Sequence, residues 1–105
     1  MAVHHVNEKS AEMVKTARGE TKYLYRNERD GGPSIMIRHW GPDTDIPVHS
    51  HPFNEMFYVL EGEVEIGDTL YTAGSCVFIE GGTPYGPTRA PKGVKVLRYA
   101  EAFQK

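Results

Sequence analysis

The stretch PVHSHPFNEMFYVLEG, residues 47–62, carries the clearest structural signal in the chain. Side chains two residues apart on a β-strand point to the same face, so Glu55 shares one face with Phe57 and Val59. The residues between them make the opposite face apolar as well. A strand that is apolar on both faces is covered on both sides. One cover would be the interior of a barrel, and the other would be the N-terminal segment or a second subunit, which predicts a homodimer.

Short apolar runs separated by glycine and proline extend outward from this stretch in both directions. The chain contains 11 Gly and 7 Pro, and their placement between runs of branched and aromatic side chains is typical of short strands joined by turns. The strands are predicted at residues 34–40, 55–60, 63–66, 69–72, 76–79 and 94–99. Glu61-Gly62 is interpreted as a hairpin turn, with further turns at residues 73–74, 80–82 and 91–93. This pattern predicts an all-β fold, either a β-sandwich or a small barrel.

The chain is predicted to form one domain, because 105 residues are too few for a second buried core. Residues 34–99 would form the barrel, residues 1–33 an N-terminal arm with the first strand or strands, and residues 100–105 a C-terminal tail. Residues 8–17 combine good helix formers with a weak apolar pairing. They predict a short N-terminal helix, with an irregular arm as the alternative.

The charge balance and the apolar runs exclude several classes of protein. With 12 basic and 14 acidic side chains the net charge is -2, which removes the usual electrostatic basis of nucleic-acid binding. No apolar run approaches the ~20 residues that span a bilayer, so no membrane partner is expected. The first residues lack the apolar segment of a signal peptide, and the expected compartment is the cytoplasm. The single cysteine, Cys76, cannot form a disulfide within the chain.

The histidines of the quoted stretch are candidates for metal ligation. His49 and His51 lie two residues apart, so on an extended strand both imidazoles face the same side, about 7 Å apart at Cα. Glu55 follows after a proline-containing bend. Two imidazoles and a carboxylate are three ligands for a divalent metal with open positions, an arrangement favoured by non-haem Fe(II) and compatible with Zn(II). Histidine pairs at this spacing also occur on surfaces and in loops without a metal, which leaves both interpretations open.

The spacing His49-x-His51-x3-Glu55-x6-Gly62 resembles the first motif of the cupins, which are small antiparallel β-barrels with a metal at their centre. The resemblance covers roughly residues 34–99. It implies that this chain forms a single antiparallel β-barrel or jelly roll. It also implies a range of activities, because the family includes dioxygenases, lyases, decarboxylases, isomerases and hydratases of small oxygenated compounds.

The second cupin motif, Gly-x5-Pro-x-Gly-x2-His, is represented here by Gly74-x5-Glu80-x-Gly82-x2-Tyr85. Glu80 replaces the proline, a change that a turn tolerates. Tyr85 replaces the histidine that the family uses as a metal ligand, and a neutral phenol with a reference pKa near 10 is a poor ligand. Three roles stay open for Tyr85: ligation as a phenolate beside a cation, proton donation or acid–base catalysis toward substrate, and packing inside the barrel.

Neighbouring strands supply further candidates for the substrate pocket. His39 shares a strand face with two isoleucines and would enter the barrel beside the metal, or else be a core histidine bonded to a backbone carbonyl. Arg38 and Trp40 share the opposite face, and if that face is the inner one they would hold a carboxylate or stack on a ring. Phe57 and Phe78 suit an apolar pocket wall, although core packing explains them equally well.

The resemblance to the cupins implies a metal-dependent enzyme that acts on a small oxygenated organic molecule, with dioxygenase chemistry favoured. A divalent ion (Fe, Mn, Ni or Zn) would be held by His49, His51, Glu55 and Tyr85. Of these residues, Tyr85 and Glu55 would also be catalytic. One alternative is a metal-free or metal-assisted lyase, dehydratase or isomerase, with a histidine as base and Tyr85 as acid. The other alternative is a cupin that binds a small ligand without chemistry.

Overall fold

The computed structural model describes residues 2–26 and 31–102. They form a 3-10 turn at Glu8–Ser10 and the strands β1 (Glu12–Thr16), β2 (Gly19–Arg26), β3 (Ser34–Trp40), β4 (Asp45–Ile46), β5 (Glu55–Ile66), β6 (Thr69–Thr72), β7 (Cys76–Ile79), β8 (Thr88–Arg89) and β9 (Val94–Ala100). The strands pair antiparallel in the order β1-β2-β3-β9-β5-β8-β4, and β6 and β7 also pair with β5. The sheet curls around β5, and the all-β antiparallel barrel expected from the sequence is confirmed.

The hydrophobic core lies on the inner face of this curled sheet, because alternate side chains of a strand point to the same side. On β9, for example, Val94 and Val96 are buried while Tyr99 is exposed. The buried apolar cluster comprises Trp40, Phe57, Val59, Val64, Ile79, Ala90, Val94 and Val96. Burial of each large apolar side chain contributes roughly 1.5–3 kcal/mol. Of the predicted strands, those at 34–40, 69–72, 76–79 and 94–99 correspond to β3, β6, β7 and β9.

The hairpin predicted at Glu61-Gly62 is wrong, because β5 runs through this position as one strand of 12 residues. Against β9 the register shifts between Val59 and Glu61, which is a β-bulge. Gly62 has a φ of +79°, and a Cβ on it would lie 2.5 Å from the carbonyl oxygen of Gly93. This glycine therefore permits the close approach of β9. The chain therefore does not reverse at Gly62 but after the end of β5, in the turn that leads to β6.

The N-terminal segment does not form the helix predicted at residues 8–17. It forms the 3-10 turn followed by β1, which pairs with β2 along all five of its residues. Differences in intrinsic helix propensity are small, and strand pairing overrides them here. No helix in the described parts of the chain is long and apolar enough to cross a membrane. Residues 27–30 of the predicted arm and residues 103–105 of the predicted tail lie outside the described residues, and the predicted domain boundaries stay predictions.

The outer face of the central strands carries rows of apolar side chains. In one row Met56 lies between Tyr99 and Phe78, and in the next Tyr58 lies beside Cys76. Phe78 is 61% exposed, and Tyr58 and Tyr99 are also exposed. A contiguous apolar surface is typical of a face that a partner covers. The homodimer expected from the sequence stays a prediction.

We expect Gly62→Ala to lower the free energy of unfolding by about 2–4 kcal/mol, because alanine would be strained at positive φ and would meet the backbone beside β9. Gly74→Ala is the matched control. Gly74 also has a positive φ, of +93°, but no atom lies within 4 Å of its Cβ position, so this variant loses only about 1 kcal/mol through backbone strain. Urea unfolding measures both changes, and equal losses would contradict the close approach of β5 and β9.

Candidate functional site

The inner face of the sheet encloses a cavity of about 300 Å³. Its apolar lining consists of Met36, Trp40, Ile46, Phe53 and Phe57. Its polar lining consists of Arg18, Tyr23, Ser34, Arg38, His49, His51, Tyr85, Thr88 and Arg98. None of the described residues that line the cavity is acidic. Because arginine stays protonated in proteins, the wall carries positive charge.

A β-bridge brings His49 and Tyr85 together at this cavity. The His49 N–H donates to the Tyr85 carbonyl oxygen at 3.1 Å, and the Tyr85 N–H donates to the His49 carbonyl oxygen at 2.9 Å. The two ring centroids lie 4.6 Å apart, and the His51 ring lies 4.9 Å from that of His49. Nδ1 of His49 lies 3.0 Å from the carbonyl oxygen of Pro47. Because a carbonyl oxygen only accepts, Nδ1 is the donor, and Nε2 of the neutral ring is left as an acceptor.

Glu55 is buried next to the cavity wall and forms an ion pair with Arg98. Its Oε2 accepts from Nε of Arg98 at 2.8 Å and lies 2.6 Å from Nη2. The two side chains are 1% and 9% exposed, respectively, so little water screens the interaction. The other carboxylate oxygen, Oε1, has no hydrogen-bond partner among the described residues. The Arg98 guanidinium also lies 5.9 Å from the ring centroid of Phe57.

The environment of Tyr85 keeps its phenol protonated. Burial raises the pKa of Tyr85, and interaction with the neighbouring Glu55 carboxylate raises this pKa further. Arg98 and Arg38 act in the opposite direction but do not cancel the rise. At neutral pH Tyr85 is therefore a hydrogen-bond donor beside an imidazole.

Arg38 enters the cavity from β3 without a carboxylate partner. Its Nε donates to Sδ of Met36 at 3.1 Å, which is a weak acceptor. Within residues 2–26 and 31–102, Arg38 forms no ion pair. Burial lowers the pKa of Arg38, and the nearby positive charge of Arg98 lowers it further, although an arginine remains charged at any physiological pH.

The charges around the four predicted metal ligands bear on whether they hold a metal ion, which stays a prediction. Among the residues that the structure describes, no three His, Cys, Asp or Glu side chains group closely enough to hold a metal ion. The Glu55 charge is neutralised by Arg98, and the phenol of Tyr85 is protonated. The guanidinium of Arg38 adds a second positive charge. A divalent cation at these residues would therefore compete with Arg98 for Glu55 and would meet the positive charge of Arg38.

Of the three residues predicted to line the substrate pocket, Phe57 lies at the cavity and two do not. His39 is exposed and lies in a separate groove, because alternation along β3 turns Arg38 toward the cavity instead. Phe78 lies on the outer face, where the register of β7 places it beside Met56. These placements correct the sequence-based assignment of His39 and Phe78.

Sequence reasoning missed Arg98, the residue that holds Glu55. The signal was present in the strand VKVLRYA, residues 94–100, whose inward face otherwise carries two valines and an alanine. A charged side chain on such a face must find a buried partner of opposite charge, because an unpaired buried charge is strongly unfavourable. Arg38 was not missed, because the sequence analysis expects it to hold a carboxylate if its face of β3 is the inner one, and the structure places it at the cavity.

We expect Arg98→Met to lower the free energy of unfolding by about 3–5 kcal/mol, because it leaves the buried Glu55 carboxylate without a partner. The double variant Glu55→Met/Arg98→Met should cost less than Arg98→Met alone, since both charges are then removed. Urea unfolding at neutral pH of the two single variants and the double variant measures the coupling. Additive losses would show that the two side chains do not stabilise each other.

The raised pKa of Tyr85 predicts a specific loss of stability in alkali. An unfolded tyrosine ionises near a pKa of about 10, whereas folded Tyr85 ionises at higher pH. The contribution of the protonated phenol is therefore complete below about pH 10 and is lost as the pH rises from there toward the pKa of the folded state. We expect the urea midpoint to fall less steeply above this pH in Tyr85→Phe than in wild type. Parallel curves for the two proteins would contradict the shift.

Several solved structures share this fold. An RmlC-like cupin from Shewanella frigidimarina has a TM-score of 0.82 at 18% identity, over 99% of this chain and 95% of that chain. An acetylacetone dioxygenase from Acinetobacter johnsonii has a TM-score of 0.81 at 15% identity, over 96% of this chain and 75% of that chain. HppE with Fe(II) has a TM-score of 0.75 at 22% identity, and the match covers 93% of this chain but 60% of that chain.

The sequence itself matches one family. No curated protein matches it, but the family model described as Cupin domain matches residues 36–97. This range lies inside residues 34–99, the region in which the two cupin motifs were recognised. The matched region is more than half of the chain and contains both halves of the β-bridge that joins His49 to Tyr85. The protein belongs to the cupin family.

Proposed function

We propose that this cupin is an enzyme that moves a proton on a small oxygenated organic molecule, as a lyase, a dehydratase or an isomerase does. Tyr85 is the proton donor, and His49 is the base. The two side chains face each other at the cavity with ring centroids 4.6 Å apart. A donor and an acceptor at this distance are able to act on neighbouring atoms of one bound molecule.

The observation that carries this proposal is the ion pair between Glu55 and Arg98. In a metal site built from two histidines and one glutamate, the carboxylate supplies the negative charge that balances the cation. Here that charge is balanced by a guanidinium that contacts Oε2 at 2.6 and 2.8 Å. The proposal therefore assigns the chemistry to the side chains themselves. Glu55 acts as a positioning residue beside the Tyr85 phenol.

Each side chain at the cavity has a protonation state suited to its role. The phenol of Tyr85 is protonated because burial and the Glu55 carboxylate raise its pKa, so the O–H is available to a leaving oxygen or a developing enolate. Nδ1 of His49 is turned toward the carbonyl oxygen of Pro47, so Nε2 is the atom that accepts a proton. A positioned acid or base of this kind typically contributes about 10²–10⁴-fold to a rate.

A metal-dependent dioxygenase is the second candidate. The supporting observation is Oε1 of Glu55, a buried carboxylate oxygen without a hydrogen-bond partner among the described residues. Among structures of the same fold, one is named an acetylacetone dioxygenase and another, HppE, contains Fe(II). At identities below 25% they share only the fold with this chain. This alternative requires Arg98 to release Glu55, and for that reason we rank it second.

The two candidates differ in their need for a metal, and hydrogen–deuterium exchange separates them. We expect chelator-treated protein to catalyse exchange of the C–H protons next to the carbonyl of pyruvate or acetylacetone in D2O, measured by proton NMR. Tyr85→Phe should reduce the rate by about 10²–10⁴-fold, because it removes the donor. Tyr58→Phe, at an exposed tyrosine of the outer face, is the matched control and should retain the wild-type rate.

Three outcomes of this experiment would contradict the proposal. Exchange no faster than in buffer would favour a cupin that binds a ligand without chemistry. An unchanged rate in Tyr85→Phe would remove Tyr85 from the reaction. Consumption of O2 and acetylacetone only after Fe(II) is added would establish the dioxygenase.

A further inference from the structure

The charges around the cavity are not balanced. Three arginines line it, namely Arg18, Arg38 and Arg98, and none of the described lining residues is acidic. Arg98 is neutralised from behind by Glu55, and Arg18 is exposed to solvent. Arg38 is left as an inward-facing cation without an ion-pair partner in residues 2–26 and 31–102.

The position of Arg38 is unfavourable for the empty protein. Its guanidinium is removed from much of the water and lies near a second guanidinium, that of Arg98, and electrostatic interactions with Tyr23, Tyr85 and Glu55 offset this only in part. Among the described residues its Nε donates to the thioether sulfur of Met36. Guanidinium groups bind planar anions with two parallel hydrogen bonds, and this geometry suits a carboxylate. A desolvated cation that is kept without a protein partner is therefore a binding position for a negative group of a ligand.

The other residues that line the cavity indicate the chemistry of the remainder of that ligand. Trp40 and Phe57 form an edge-to-face aromatic pair with centroids 6.0 Å apart, and both line the cavity. The volume of about 300 Å³ is at the lower end of small-molecule sites. Thr88 lines the cavity at 2% exposure, and its Oγ1 has no hydrogen-bond partner among the described residues. The wall thus combines one anion position, an aromatic surface and one unused hydroxyl group.

We propose that the cavity binds a small organic carboxylate whose anionic group pairs with Arg38 and whose apolar body lies against Trp40 and Phe57. The proposal names the substrate class of the enzyme proposed above, and it rests on that function only in treating the ligand as a substrate. Binding itself requires no turnover. It is therefore measured independently of the proton transfer assigned to Tyr85.

Benzoate and benzamide are matched probes for this site, because they share a ring and differ in charge. Trp40 is the single tryptophan of the chain, so its indole N–H gives one resolved signal in a proton–nitrogen correlation spectrum. We expect saturable shifts of this signal and of the Arg38 Nε–H signal with benzoate. Benzamide should bind at least about tenfold more weakly, the loss expected when one charge-assisted pair is missing.

Arg38→Met tests the assignment of the anion position. We expect it to weaken benzoate binding by about tenfold or more while leaving the weak binding of benzamide unchanged. It should also raise the urea midpoint of the ligand-free protein, because it removes a desolvated charge near Arg98. An arginine with a purely structural role would lower that midpoint on removal. Arg89→Met is the control, since Arg89 lies outside the cavity in exposed ion pairs with Asp45 and Glu65.

Several results would overturn the proposal. The proposal is contradicted if benzoate does not bind saturably, if benzoate and benzamide bind equally well, or if Arg38→Met binds benzoate as tightly as wild type. Inorganic phosphate that binds as tightly as benzoate would show a general anion site without the apolar selection proposed here. If benzoate binds but the protein catalyses no hydrogen–deuterium exchange, the carboxylate site is supported and the proposed enzymatic function is contradicted. If the wild-type protein catalyses exchange of acetylacetone but Arg38→Met binds benzoate as tightly as wild type, the proposed enzyme is supported and the anion position at Arg38 is contradicted.

Discussion

The buried ion pair between Glu55 and Arg98 is the interaction on which the rest of the site depends. It joins β5 to β9, and because the register places Phe57 opposite Arg98, the arginine reaches along the neighbouring strand to the carboxylate. Two N–H groups on one oxygen hold that carboxylate in a single orientation. Removing either charge alone would leave the other buried and unpaired, which is far less favourable than removing both. The ion pair thus links β5 and β9, the two central strands of the cavity, because neither charge is stable there without the other.

This constraint determines what the neighbouring side chains are able to do. Once Glu55 is held by Arg98, its charge is no longer available to balance a metal ion, but it still acts on Tyr85 and keeps the phenol protonated. The Glu55 charge also acts on Arg38 but does not offset its burial and the charge of Arg98, and Arg38 forms no ion pair among the described residues. One carboxylate between two guanidinium groups leaves the site with a net positive charge. The same arrangement therefore accounts both for the poor fit to a cation and for the proposed binding of a carboxylate.

The sequence predicted several strands and the turns at residues 73–74, 80–82 and 91–93, but two other segments were misread. Alternating or continuous apolar runs gave β3 and β7 with their observed bounds, because burial on one face requires that periodicity. Gly62 was misread as a turn residue, because the sequence alone does not separate a glycine that reverses the chain from one that admits a close neighbour. The segment that forms β1 was misread as a helix for a related reason. Its structure depends on pairing with β2, an interaction that local propensity does not contain.

The predicted site shows the same division between local pattern and three-dimensional context. The two cupin motifs contain His49 and Tyr85, and the structure places both residues at one cavity through a β-bridge. The motifs do not include β3 and β9, yet those strands supply Arg38 and Arg98, and with them the charge that decides what the cavity binds. The types of metal-ligating side chain in a motif are therefore not enough to predict a metal site, because the charges of neighbouring side chains also matter. If Arg38 binds a carboxylate as proposed, two inward-facing positions outside the motifs are enough to make the cavity of a cupin barrel recognise an anion without any change in strand order.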